Sequence, residues 1–560
     1  MAVPRIFSTY ACVVCALYFS YATAFTQPWS WLKGSRPIRG GAQEADSRPV
    51  GPLMALRTNE DSTLGAPSSR PSDGSYESAS GVKVEFTIND VGSDSAQEIE
   101  HLITKLDDQK GVLLTSSYEF PGRYARWSVG FVAPAIQIEG RGLDFTVTAL
   151  NDRGVVLCDI LRARLSGEPS TFVIASSSDR YVLAGRVIPA KKYFSEEERS
   201  KQPSLFSLVR AVREVFSSPD AGQLGLYGAF GYDLTFQFEP IELKKKRDSD
   251  QRDLVMFLPD EILIVDNQKN DAWKVRYEFS QNGQTTKGLQ RVAEESKFVP
   301  ADANKAFDPR DNARGDYAKS VIRAKEEFRV GNLFEVVLSQ AFREKLTAKP
   351  SEIFKRLFRR NPAPYGFFMN LGANEYLVGA SPEMFVRVEN TRKGLRVETC
   401  PISGTIERGS DPLEDAQQIK KLLLNPKEES ELTMCTDVDR NDKSRICLPG
   451  SVRVLGRRQI EMYSRLIHTV DHVEGYLRSG FDALDAFLCH TWAVTVTGAP
   501  KTWAIRFIEE MEPVARHWYG GAVGMVGFDG TLNTGLTLRT IRIKNGIAEV
   551  RAGATLLHDR

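Results

Sequence analysis

Strand-like runs recur from residue 82 to about residue 300, and they restrict this chain to folds rich in β-structure. Val82-Lys-Val-Glu-Phe-Thr-Ile88 alternates as a half-buried strand does, and Phe145–Leu150, Val155–Leu157 and Ile262–Val265 read as further strands. No unit of about 20–50 residues repeats, which excludes solenoids and propellers. Strands and helices do not alternate strictly, so the pattern points to an α+β fold and not to a doubly wound one. The stretch Gly225-Leu-Tyr-Gly-Ala-Phe-Gly-Tyr-Asp233 contains neither GxGxxG nor a P-loop, and a nucleotide site is unsupported. The run Lys244-Lys-Lys-Arg247 reads as a solvated loop. Polar residues 299–315 read as a linker. Beyond it, Tyr317, Val321, Ala324 and Phe328 fall at helical spacing, Gly331-Asn332 ends that helix, and Leu333–Ser339 reads as a strand.

The 560 residues allow two or three ordinary domains or one large fold. A net charge of +1 gives no argument for nucleic acid. Of seven cysteines, Cys12 and Cys15 lie near the N-terminus and five are scattered, which supports neither a disulfide framework nor a zinc ribbon. A reducing compartment follows. At the N-terminus, Arg5 precedes an apolar stretch from Ile6 that ends in Ala22-Thr23-Ala24, the layout of a signal peptide over residues 1–24. A membrane anchor or the secretory pathway is the alternative reading. Residues 25–81 are rich in Ser, Gly and Pro and read as a disordered leader. Phe25 followed by Lys33, Arg36 and Arg39, with no acid before Glu44, resembles the two-part leaders of algae with complex plastids, so plastid import is expected.

Two segments carry chemistry. In Asn425-Pro-Lys-Glu-Glu-Ser-Glu431, Asn425 can cap a helix and Pro426 suits its first turn. Glu428 and Glu431 then share one face beside an apolar seam of Leu432, Cys435 and Val438. Such a pair suits Mg²⁺, a hard cation, though a surface helix with acidic residues gives the same pattern. In Thr495-Val-Thr-Gly-Ala-Pro-Lys501, small residues precede a helix with Ala504, Phe507, Ile508 and Met511 inward, which leaves N–H groups free for an anion. Tyr519-Gly-Gly-Ala-Val-Gly524 offers a second close backbone approach. Thr537-Leu-Arg-Thr-Ile-Arg-Ile543 reads as a strand carrying Arg539, a bidentate partner for a carboxylate. Tight turns and surface arginines remain the other reading of these residues.

Taken in order, the motifs resemble the large subunit of anthranilate synthase, a chorismate-utilising enzyme, over nearly all of residues 82–560. Those motifs are Tyr118-Glu-Phe-Pro-Gly-Arg-Tyr-Ala-Arg-Trp127, Gly331-Asn-Leu-Phe-Glu-Val-Val337, Asn361-Pro-Ala-Pro-Tyr365, Gly379-Ala-Ser-Pro-Glu383, Pro401-Ile-Ser-Gly-Thr405, the Glu428 helix, Arg465-Leu-Ile-His468, the loop to Lys501, and Arg551-Ala-Gly553. The likeness is greatest to the fused form in which a glutaminase follows on the same chain. It implies an α+β fold, a large antiparallel β-sandwich flanked by helices, divided into an N-terminal region 82–300 and a chorismate-binding catalytic region 311–560. The implied reaction converts chorismate and ammonia, drawn from glutamine, to anthranilate and pyruvate, the first committed step of tryptophan biosynthesis.

The resemblance also implies roles. Glu383 would be the general acid for the leaving C4 hydroxyl, kept protonated by a carboxylate field. His468, titrating near neutrality, would help remove the C2 proton. Gly404, Thr405, Thr495, Tyr519, Arg539 and Gly553 would bind substrate. Glu428 and Glu431 would hold Mg²⁺. Ser116, Pro364 and Tyr365 would form part of a tryptophan feedback pocket, although Leu113-Leu-Thr-Ser116 departs from its usual acidic form. A homodimer is a further expectation. Glu335 and Ser403 stand where water-using and aminodeoxychorismate-forming relatives carry lysines, which favours ammonia addition and anthranilate.

An aminodeoxyisochorismate or aminodeoxychorismate product is the alternative. The family's tail runs past Arg551-Ala-Gly-Ala-Thr555 into a helix with a second Glu pair, whereas this sequence ends His558-Asp-Arg560 and shows no Gly-x-Cys-x-Gly glutaminase turn. Ammonia is therefore expected from a missing C-terminal glutamine amidotransferase domain, from a separate subunit or from solution. Were Arg560 the true end, a non-catalytic remnant would be the reading.

Overall fold

The structure is a computed structural model, and it describes residues 71–558 except 93–94, 118–126, 191–193 and 305. Two thirteen-stranded sheets dominate it, and every strand pairing among the described residues is antiparallel. In the first sheet the strands Gly111–Thr115, Tyr365–Asn370, Glu375–Ser381, Thr540–Lys544, Ile547–Leu557, Glu335–Lys345 and Gly498–Ala499 are successive neighbours. In the second, Ile402–Glu407, Leu466–Tyr476, Gly394–Thr399, Met384–Thr391, Leu532–Leu536, Ala522–Gly527, Gly225–Phe230 and Leu254–Leu258 follow one another.

The sheets face each other. Phe131 of the first meets Tyr227 of the second edge to face, with ring centroids 5.5 Å apart. The Tyr365 ring of the first fills the space over Gly535 of the second, where a Cβ would lie 2.6 Å from it. Gly225–Phe230 and Leu254–Leu258 are buried along their whole length, which is why they read as continuous apolar runs and not as alternation.

Nine α-helices among the described residues pack against these sheets: α1 (Ser95–Lys105), α2 (Asp152–Ser166), α3 (Leu205–Phe216), α4 (Asp316–Arg329), α5 (Pro350–Arg360), α6 (Pro412–Leu423), α7 (Pro426–Ser444), α8 (Ala483–His490) and α9 (Lys501–Met511). The expected helix at Tyr317–Phe328 is α4, with Ala324 and Phe328 buried, and it ends at Gly331 with φ +80°.

The structure departs from the sequence reading at four places. Val155–Leu157 is helix, not strand: the Asn151 side chain accepts from the Gly154 N–H and starts α2 there. A short apolar run fits a buried helix as well as a strand. The folded part begins before Val82, inside the stretch read as leader. Strand Gly74–Glu77 pairs with Lys83–Asp90, Tyr76 donates to the Phe216 carbonyl (3.1 Å) and Ser78 to that of Val215 (2.7 Å). The basic run is a loop, but only Lys244 and Lys246 of it are solvated. Lys245 and Arg247 are largely buried and grip Glu509 of α9 at 3.1 and 2.7 Å, while Arg247 also reaches Asp233 at 2.8 Å. Arg539 lies outside the strand, in a left-handed turn (φ +48°) before Thr540–Lys544.

Arg153 of α2 ties the helix to the first sheet. It is fully buried, pairs with Asp260, and donates to Glu278 (3.0 Å) and to the carbonyls of Thr286 and Tyr277 (both 2.8 Å). Substituting Arg153→Met leaves the equally buried Asp260 with only Arg291, at 3.2 Å, so urea denaturation should show a loss of about 3 kcal/mol. An unchanged midpoint would mean that the ion pair does not join these layers.

Candidate active site

The chain crosses from the first sheet to the second at Pro382-Glu383, between strands Glu375–Ser381 and Met384–Thr391. That crossing places the Glu383 carboxyl in the interior, 3% exposed. Thr495, in the one-turn 3₁₀ helix Val494–Val496, donates to Glu383 Oε1 at 2.9 Å, and the Leu536 N–H donates to the Glu383 carbonyl at 3.1 Å. Burial raises the carboxyl to about 8, outweighing the Thr495 and Ile402 hydrogen bonds and the Arg539 charge, which act the other way. Glu383 is therefore protonated at neutral pH. Burial does this, and the carboxylate field expected from sequence contributes little.

His468 sits on strand Leu466–Tyr476 opposite Thr405. A bulge between Ser403 and Thr405, with Gly404 at φ +82°, turns this part of the strand toward the ring. His468 Nδ1 is 2.9 Å from Thr405 Oγ1 and Nε2 is 3.1 Å from an Arg539 nitrogen. Arginine only donates, so Nε2 accepts and Nδ1 carries the proton. Burial, then the Arg539 charge, lowers the imidazole to about 3. The near-neutral titration expected from sequence is thus corrected to a ring that stays neutral. Tyr463 meets its edge, with centroids 5.2 Å apart.

Arg539 is the electrostatic oddity. Among the described residues it has no carboxylate at ion-pair distance, and its hydrogen bond goes to a neutral imidazole. A half-buried, partly desolvated guanidinium without an anion is a ready partner for a ligand that supplies one.

Tyr519 and Gly553 are in contact: a Cβ on Gly553 would lie 2.4 Å from the Tyr519 hydroxyl. The Tyr519 segment joins the Arg539 turn through Gly520 N–H to the Thr537 carbonyl (3.2 Å) and Thr537 N–H to the Gly521 carbonyl (2.8 Å). Glu383, Thr495, His468, Thr405, Gly404 and Arg539 thus surround one region, with Tyr519 and Gly553 connected to it.

Asn425 caps α7 as expected, its side chain accepting from the Lys427 N–H. Glu428 and Glu431 are both 7% exposed on the face that packs against strand Ile402–Glu407. Gly404 makes room there, since a Cβ on it would lie 3.5 Å from the Glu428 Cβ. Two hard oxygen donors beside the substrate region fit Mg²⁺ in kind. Among the described residues no group of three or more Asp, Glu, His or Cys side chains forms a metal cage.

The proposed inhibitor residues also come together. The Ser117 N–H donates to the Ala363 carbonyl and the Ala363 N–H to Ser117 Oγ, each at 3.1 Å, which brings Ser116 beside Pro364-Tyr365. Tyr365 is paired with Ser381, two residues before Glu383. Residues 118–126 of the Tyr118–Trp127 motif lie outside the described residues.

Sequence reasoning missed two networks. Lys443, fully buried on α7, contacts Asp439 (2.8 Å), Thr399 (2.5 Å) and His490 (3.2 Å) behind Glu383. A cavity of about 30 Å³, lined in part by Glu383, Asp439, His490 and Thr495, separates them and is large enough for a water-sized molecule. Elsewhere Arg516 donates to the carbonyls of Val496 and Val337 (both 2.6 Å) and pairs with Glu512, which also holds Arg551 at 3.1 Å. The sequence signals were the i,i+4 spacings of Asp439 with Lys443 and of Glu512 with Arg516.

Residues 172–559 match the family model described as chorismate binding enzyme. The chain belongs to the chorismate-binding enzyme family. It is 53% identical over 466 residues to a protein named anthranilate synthase from Azospirillum brasilense, covering 83% of this chain and 62% of that relative's length. It is 34% identical over 354 residues to anthranilate synthase component 1 of Acetivibrio thermocellus, 60% of this chain and 70% of the relative. The solved anthranilate synthase component I of Streptococcus pneumoniae TIGR4 shares the fold, with TM-score 0.57, 24% identity, and coverage of 79% and 89%. The two-sheet α+β architecture read from the sequence is thus that of a solved family member.

Because unfolded His468 titrates near 6.5 and the folded ring near 3, the unfolded chain takes up a proton first as pH falls. The stability contributed by the neutral ring is full above 6.5 and is lost as pH drops toward 3. His468→Gln should flatten this part of the stability–pH curve by up to about 5 kcal/mol in denaturant titrations. Identical curves for the two proteins would contradict a neutral buried His468.

Proposed function

We propose that this chain carries the chorismate-converting chemistry of an anthranilate synthase. The observation that carries the reading is the half-buried Arg539, without a carboxylate partner among the described residues, beside a protonated Glu383 and a neutral His468. Chorismate brings carboxylates, a leaving hydroxyl and an acidic ring C–H, one demand for each group.

Arg539 takes a substrate carboxylate bidentately, and Thr495, Thr405 and the Tyr519–Gly553 contact shape its surroundings. Ammonia forms the bond to ring C2 as the C4–O bond breaks. Glu383, neutral at pH 7, gives its proton to the departing hydroxide, which leaves as water. A base then removes the C2 proton, the electron pair makes the ring aromatic, and the enolpyruvyl C–O bond breaks; the enolpyruvate takes a proton and becomes pyruvate. His468 fits the base role once Arg539 turns to the substrate. That frees the Nε2 lone pair, and the substrate's negative charge offsets the effects that hold the ring's basicity down. Mg²⁺, held on the protein side by Glu428 and Glu431, would supply positive charge against a substrate carboxylate. Glu335, buried on strand Glu335–Lys345, puts an acid where a water-activating base would need an amine, which supports ammonia as nucleophile.

The chain spans 62% of the Azospirillum relative, so the ammonia source is part of the proposal: a glutamine amidotransferase domain or subunit. Tryptophan feedback is proposed at Ser116, Pro364 and Tyr365, supported by the Tyr365–Ser381 pairing that leads to Glu383. Plastid delivery rests on the Ala22-Thr23-Ala24 and Phe25 leader. A fluorescent fusion of residues 1–70 that stays in the secretory pathway would refute it.

With chorismate, Mg²⁺ and an ammonium salt, anthranilate fluorescence should appear without glutamine. Glu383→Gln should lower kcat by about 10²–10⁴-fold. Activity of the parent protein should fall as pH rises through about 8, where Glu383 loses its proton. Absence of any aromatic product, with folding intact and the chain joined to the additional segment of its longer relatives, would overturn the assignment.

A further inference from the structure

A second cavity, of about 320 Å³, opens at the far end of the strand that follows Arg539. Its walls are the hairpin of strands Thr540–Lys544 and Ile547–Leu557, the end of strand Glu335–Lys345, the segment Val514–His517 after α9, and the Lys246–Asp248 loop. Arg542 lies three residues beyond Arg539, about 10 Å along the strand, so this is not the region around Glu383.

The cavity has donors to spare. Arg343 uses Nε for Glu549 (2.6 Å) and Arg542 uses Nε for Glu375 (2.6 Å); the terminal nitrogens of both guanidinium groups lack a hydrogen-bond partner among the described residues. Lys246 is exposed at the rim and forms no ion pair among the described residues. The acids nearby are engaged: Glu549 by Arg343, Asp248 by His517 (3.3 Å), Asp250 by Lys544 (3.1 Å), and Glu375 by Arg252, Arg542 and Trp518.

One buried acceptor completes the picture. His517 is 8% exposed and lines the cavity; its Nδ1 has no hydrogen-bond partner among the described residues, and Glu549 Oε1 lies 3.9 Å from it. Nε2 faces the carboxylate of Asp248, which only accepts, so Nε2 carries the proton and Nδ1 offers a lone pair. Burial and the Arg542 charge keep the ring neutral by lowering its pKa. A buried acceptor without a donor, beside guanidinium groups whose terminal N–H groups are open, is costly to leave unanswered.

We propose that this cavity is a second ligand site, taking a small acid whose phosphate or carboxylate group is held by Arg343, Arg542 and Lys246 and whose O–H donates to His517 Nδ1. Guanidinium forks match either oxyanion bidentately, and the volume leaves room for an organic body.

The test is calorimetric titration of the full chain with inorganic phosphate, which has both the charge and the O–H, and with sulfate, which lacks the O–H at neutral pH. Malate and succinate form the matching carboxylate pair. The expected result is binding of phosphate, malate or both with a dissociation constant near or below about 1 mM, and about tenfold weaker binding of the partner without the hydroxyl. Lys246→Ala, a surface change that leaves the core intact, should weaken it several-fold, and Arg343→Met should abolish it. Arg539→Met should leave it unchanged, which keeps this site separate from the proposed catalytic one. No binding of either hydroxyl-bearing probe at about 10 mM, equal binding within both pairs, or loss of binding with Arg539→Met would each overturn the proposal.

Discussion

Two broad sheets share one interior, and a polar group buried there needs partners at hand. The crossing at Pro382-Glu383 supplies them. Backbone pairing is interrupted, so a carboxyl can point inward beside a threonine hydroxyl and a guanidinium without disturbing a ladder. The remaining site elements converge on this crossing. The bulge at Gly404 comes from one edge of the second sheet, the Val494–Val496 turn from the end of the first, and the Arg539 turn from the strand adjoining Glu375–Ser381.

Low polarity then does the electrostatic tuning. The same burial that makes Glu383 an acid at neutral pH keeps His468 uncharged, because in both cases it disfavours the ionised form. Arg539 stays cationic despite partial desolvation, since a guanidinium cannot shed its proton in this range. The site thus combines a neutral acid, a neutral acceptor and one cation, an arrangement suited to an anion.

Rigid support comes from farther out. Arg516 fixes the carbonyls of Val496 and Val337 and packs against the Tyr519 ring at 5.5 Å, while Glu512 locks it to Arg551. These groups touch none of the proposed reacting atoms. They hold the backbone of the Thr495 turn and of the strand bearing Gly553, and small displacements there matter to a site that works by positioning.

Much of this was legible in the sequence where local rules decide. Asn425-Pro426 specified the start of α7, Glu428 and Glu431 had to share a face, and the alternation from Val82 required a strand, because caps and side-chain periodicity act within a few residues. Local rules failed where distant partners decide. Val155–Leu157 became helix through the Asn151 cap and the burial of Arg153, and Lys245 and Arg247 were drawn out of solvent by Glu509, more than 260 residues away. The sequence by itself determined which residues are candidates for the chemistry and the class of fold that receives them. Only the tertiary structure decided their protonation states, the acceptor role of His468 Nε2 and the open donors around His517, because each depends on burial and on charges supplied by other parts of the chain.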